Sequence, residues 1–97
     1  MLKPGVRVRG IQPEMLLACM VCDSVCRKNN VELVITSVVD GIHMDDSLHY
    51  KGQAIDIRSR DMVSPQAVAR AIQESLGNDY DVVVEKDHIH VEYDPPI

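Results

Sequence analysis

The chain has 97 residues, of which 45% are hydrophobic and 26% charged, enough for one soluble domain over residues 1–97 and no second. A net charge of −5 argues against duplex nucleic acid and anionic membranes as partners, which need a basic footprint. Three Tyr with no Phe or Trp argue against base-stacking on single strands and leave a core of Val, Ile, Leu, Met and Cys.

The first ten residues carry no apolar signal core and no cleavage site, so synthesis in the cytoplasm without a signal peptide is expected. No apolar run reaches the roughly 18 residues that span a bilayer. Pro13 suits the first turn of a helix, where its missing N–H needs no partner. That helix is expected over residues 13–28, ending at Asn29-Asn30. Within it Met15, Cys19, Cys22 and Cys26 step by four, three and four, which is one helical face. Three cysteines at such spacing can also suggest metal ligation, but no matched Cys/His pair follows. Core packing of reduced thiols is the stronger reading.

Residues 31–39 are rich in β-branched side chains and read as a strand. Residues 40–48 are polar, contain Gly41 and read as a loop. A second strand is expected over 53–58, with Ile55 and Ile57 on one face and Ala54, Asp56 and Arg58 on the other. Ser64-Pro65 is an N-cap and first-turn pair. The helix after it presents Val68, Ala71, Ile72 and Leu76 and closes at Gly77. Strands over 80–85 and 89–93 follow, and Asp94-Pro95-Pro96 ends the sheet. The order α-β-β-α-β-β predicts an α+β fold: a small, mainly antiparallel sheet covered on one face by two helices.

The chemistry gathers in two segments that hold all four histidines: His43 and His49 in one, His88 and His90 in the other. His49 ends a loop that feeds the strand bearing Asp56, and Gly52 permits the tight approach. His88 and His90 share a face because strand side chains alternate. If the two strands are neighbours, imidazoles and a carboxylate converge. Two His and one Asp make a three-ligand zinc site whose open fourth position suits catalysis. Asp56 can instead pair with Arg58 or Lys51 as an ordinary surface charge. Alternation places Asp87 opposite His90 unless Lys86-Asp87 turns, and Glu92, on the face of His90, is the alternative base.

The order Ser47-x-His49-x-x-Gly52-x-Ala54-x-Asp56, followed by Asp87-His88-x-His90, resembles the signature of the zinc D,D-peptidases. That group includes D-Ala-D-Ala carboxypeptidases and phage L-alanyl-D-glutamate endolysins, and shares a zinc-site fold with lysostaphin-like enzymes and the hedgehog domain. The match runs over about residues 32–93, with Ile35-Thr36-Ser37 resembling the strand before the loop. The resemblance implies a hedgehog/D,D-peptidase-like fold, with His49, Asp56 and His90 as Zn2+ ligands. It implies Asp87 as general base and His88 as support for the transition state. It implies Ser47 as an ordering residue near substrate, and Tyr50 sits beside His49 where a ring can help. The substrate implied is the peptide stem of peptidoglycan. Family members often carry an Arg shortly after the Thr-Ser pair, and Asp40 stands there in this chain. Arg58, Lys51, His43 or His88 are the substitutes at hand. The alternatives are a zinc-binding module without catalysis, or a phage structural or tail component of peptidase ancestry. As a wall enzyme without its own signal, the protein would act after release by lysis or as part of a phage particle.

Overall fold

The computed structural model describes residues 2–6, 10–38 and 53–95. Helix α1 spans Pro13–Lys28, then come β1 (Ile35–Ser37), β2 (Ala54–Arg58), α2 (Pro65–Leu76), β3 (Tyr80–Val84) and β4 (His88–Tyr93). The element order is the expected one, and among the described residues the fold is α+β with two helices and a four-stranded antiparallel sheet. Neither helix is long and apolar enough to cross a membrane.

Both helices begin and end for local reasons. Pro13 and Pro65 open them. The Ser64 hydroxyl accepts from the Ala67 N–H at 3.2 Å, satisfying one donor of the first turn. At the end of α1, Asn30 takes a left-handed φ of 58°. The Val31 N–H then folds back to the Cys26 carbonyl at 2.9 Å, which stops the helix. Gly77, at φ 86°, does the same service for α2. The Gln73 side chain stitches that end to the sheet. It donates to the Tyr80 carbonyl at 2.6 Å and accepts from the Val82 N–H at 3.0 Å.

The strands lie in the order β1-β2-β4-β3. Strands β2 and β3 both run antiparallel to β4 between them, so β2-α2-β3 is a split β-α-β unit. The core packs α1 and α2 on one sheet face. Met15, Ala18, Cys22 and Cys26 of α1 and Ile72 of α2 meet Ile55, Ile57, Ile89 and Val91, all fully buried. Burying such apolar area is the main stabilising term. Three of the four α1 positions expected inward are fully buried, and Cys19 is half-buried. Burial pushes all three thiols up from their ordinary pKa. The Tyr80 hydroxyl donates to the Glu14 carbonyl at 2.8 Å and ties β3 to the first turn of α1.

The strand expected over 31–39 is shorter than its composition suggests. Residues 31–34 take no strand conformation: Val31 closes the helix, Leu33 and Val34 are buried, and the Val34 carbonyl accepts from the Arg58 N–H at 2.9 Å. Strand β1 keeps three residues, Ile35–Ser37, and is irregular; Val38 lies beyond it and residue 39 outside the described residues. Ile35 pairs with Ile57 but Ser37 pairs with Asp56, so Thr36 and Ser37 together oppose one residue. That bulge sits beside Asp56, and the Thr36 hydroxyl reaches the Asp56 carbonyl at 3.4 Å.

Candidate metal and proton-transfer site

The site is built by register. Strand β2 pairs with β4 so that Ala54 faces Glu92, Asp56 faces His90 and Arg58 faces His88. These positions have one parity and lie on the face away from the helices, while Ile55, Ile57, Ile89 and Val91 take the other parity and fill the core. Strand β3 continues the outer rows with Asp81 opposite Glu92 and Val83 opposite His90.

On that face a chain of acids and imidazoles runs along β4. His90 Nδ1 lies 2.9 Å from Asp56 Oδ1, and its Nε2 lies 3.2 Å from Glu92 Oε1. His88 Nε2 lies 3.7 Å from the same Asp56 oxygen, and its Nδ1 lies 2.7 Å from Asp87 Oδ1. The hydrogen bond to Asp56, with the negative charges of Asp56 and Glu92, raises the His90 pKa against the opposing effect of burial. The hydrogen bond from His88 lowers the Asp87 carboxyl, which is itself exposed to water.

Asp87 reaches this face because the hairpin turns where alternation alone would have put it on the wrong side. The Glu85 N–H donates to the His88 carbonyl at 2.8 Å, so Lys86 and Asp87 form the turn. The Asp87 carboxylate therefore meets the His88 ring from the end of the hairpin. A neutral His88 that donates from Nδ1 to Asp87 presents the lone pair of Nε2 toward Asp56. The alternative base, Glu92, is bonded to His90.

Arg58 also lies on the outer face, as the cross-strand neighbour of His88. Its guanidinium donates to Asp61 at 2.8 Å, a partner three residues on that the sequence reading did not name. The pairing of Asp56 with Arg58 weighed above is not what forms: Asp56 takes His90. Ser47, His49 and Tyr50 lie outside the described residues, as do Asp40, His43, Lys51 and Gly52.

The donors present suit zinc. Two ligands about 2.0–2.2 Å from a tetrahedral ion sit roughly 3.3 Å apart. The oxygen of Asp56 and the Nδ1 of His90 lie 2.9 Å apart as a hydrogen-bonded pair. A second group was not foreseen. Asp81, Glu92 and Asp94 place ligand atoms all within 4.8 Å of one another and can hold a metal ion. Its donors are all oxygen, which favours harder cations than zinc. Alternation puts Asp81 and Glu92 on predictable faces of their own strands, but only the register of β3 on β4 makes them neighbours.

No family model, curated protein or solved structure matches this chain.

Proposed function

We propose that the chain is a zinc-dependent peptidase of the hedgehog/D,D-peptidase kind, hydrolysing an amide bond in the peptide stem of peptidoglycan. The observation that carries this reading is the run Asp87, His88, Asp56, His90 on one sheet face, linked by contacts of 2.7, 3.7 and 2.9 Å. These residues come from two distant segments and occupy the places that the resemblance assigns to ligands and to proton transfer. Asp56 and His90 would hold the ion, with His49 as the third ligand. Zinc, when bound, would supply a Lewis acid that lowers the pKa of water toward ~7 and polarises the scissile carbonyl.

The chain's own residues supply the proton path. Asp87 holds His88 by Nδ1, so Nε2 is the atom that takes the proton of the attacking water and returns it to the leaving amine. Asp87 is then a positioning residue acting through His88, in place of the direct base that the resemblance implies. Arg58, held by Asp61 and opposite His88, is the cation assigned to a carboxylate of the stem peptide. Ser47 and Tyr50 complete the substrate side of the proposal.

A zinc-binding module without catalysis is the second reading, or a phage structural part of peptidase ancestry. Asp40 at the usual Arg position favours it. Purified sacculi separate the two. The enzyme reading expects turbidity to fall and free amine to appear with zinc, and neither to happen under chelator. No lysis and no released amine at saturating zinc contradicts it. His88→Ala is expected to lower kcat by about 10²–10⁴-fold, and Asp87→Ala to lower it by less, while zinc content stays unchanged in Asp87→Ala. Loss of zinc in that variant contradicts its assigned role.

A further inference from the structure

His90 stands between two carboxylates, one on each ring nitrogen: Asp56 Oδ1 at 2.9 Å from Nδ1 and Glu92 Oε1 at 3.2 Å from Nε2. A neutral imidazole has one N–H and one lone pair, and its neighbours decide which nitrogen carries which. A metal takes the lone pair. The nitrogen turned toward Asp56 must therefore be bare, and the proton must sit on the other. We infer that Glu92 is the outer partner that fixes this tautomer, accepting the Nε2–H of His90 and leaving Nδ1 to the ion. This rests on the zinc reading above, and it adds a residue to which that reading gave no part beyond a reserve as base.

The strand explains why Glu92 can do this. Residues two apart on one strand face the same way at about 6.6–6.8 Å, a gap a glutamate spans and an aspartate spans less well. Opposite Glu92 on β2 stands Ala54, whose methyl leaves the carboxylate room to lean along β4. Glu92 is only about one-fifth exposed, as is His90, so their contact is sheltered from water on the same face. An outer carboxylate on a ligating imidazole also raises its basicity and fixes the plane of its ring. Glu92 shares the neighbourhood of Asp81 and Asp94, and the test has to separate these two relations.

The experiment is zinc affinity by chelator competition on the whole chain, with the ring-nitrogen NMR signals of zinc-loaded His90. Glu92→Ala is expected to weaken zinc binding by about 10–100-fold. Glu92→Gln, which keeps the reach and an accepting oxygen, should restore most of that loss, whereas Glu92→Asp, which keeps the charge, should restore less. The double variant Asp81→Asn with Asp94→Asn should bind zinc as the wild type does. In the loaded wild type the proton should sit on Nε2. Several results would overturn the inference: unchanged affinity in Glu92→Ala, equal loss in Glu92→Gln, an equal loss in the Asp81/Asp94 double variant, or a proton on Nδ1. A wild-type chain that takes up no zinc instead defeats the metal reading itself, so the two failures are told apart.

Discussion

The two faces of the sheet are made by the same strands and could hardly differ more. Facing the helices, β2 and β4 present Ile55, Ile57, Ile89 and Val91, all fully buried. Facing away, the same strands present Asp56, Arg58, His88, His90 and Glu92, joined to one another and to Asp61 and Asp87 by hydrogen bonds and ion pairs. The difference teaches that a period of two in sequence does two jobs at once. It seals one side by burial and gathers the charged and imidazole side chains of β2 and β4 on the other, so the polar face rests on a packed floor. The inner face is where stability should be lost on substitution, and the outer face is where chemistry should be lost.

The largest expected effect tests that division on one hairpin. Ile89→Ala removes a fully buried side chain from the inner face and should cost about 2–5 kcal/mol in denaturant unfolding. Val83→Ala lies across from His90 on the outer face, is 45% exposed, and should cost no more than about 0.5 kcal/mol. Equal losses at the two positions would erase the distinction between the faces.

A smaller effect appears with pH in the metal-free chain. The hydrogen bond to Asp56 holds the folded His90 pKa above its ordinary value, so the folded state binds that proton more tightly than the unfolded one. The stability this adds is fully present below the ordinary His pKa of about 6.5. It is lost as pH rises through the raised folded value. Zinc bound as proposed would reverse the sign, because an ion that takes the place of the proton binds better as pH rises. Melting temperatures under chelator should therefore fall as pH climbs from this value, and the slope should flatten in His90→Phe. A slope that persists in that variant would assign the effect elsewhere.

The smallest effect belongs to an exposed contact at the end of β2 on the outer face. The Asp61 partner of Arg58 is 57% exposed, and such pairs contribute about 0–1 kcal/mol. Asp61→Asn should leave unfolding almost unchanged and alter only the hold on Arg58, read as a rise in KM for stem peptides. A large loss of stability would mean that this corner carries more of the fold than its exposure implies.

Much of this was legible in the chain. Both helices fall at Pro13–Lys28 and Pro65–Leu76 because Pro, Ser64, Asn30 and Gly77 act locally, and local signals survive in sequence. The facing of Ile55 against Asp56 and the shared face of His88 and His90 followed from alternation alone. Strand β1 was over-read because β-branched residues such as Val31 and Val34 report burial as much as pairing. The contact of Asp56 with His90 depends on β2 lying beside β4, a pairing between segments 34 positions apart that no local pattern encodes. The same limit hid the neighbourhood of Asp81, Glu92 and Asp94. The turn at Lys86-Asp87 lay between these cases: its need was legible, and its geometry settles which ring Asp87 touches.

The central claim is that the outer face binds zinc through Asp56 and His90. Its most direct test is the zinc content of the purified chain beside that of Asp56→Ala, after equal dialysis against trace zinc. The account predicts about one zinc per chain in the wild type and a loss of nearly all of it in Asp56→Ala. Zinc retained in full by Asp56→Ala would contradict it.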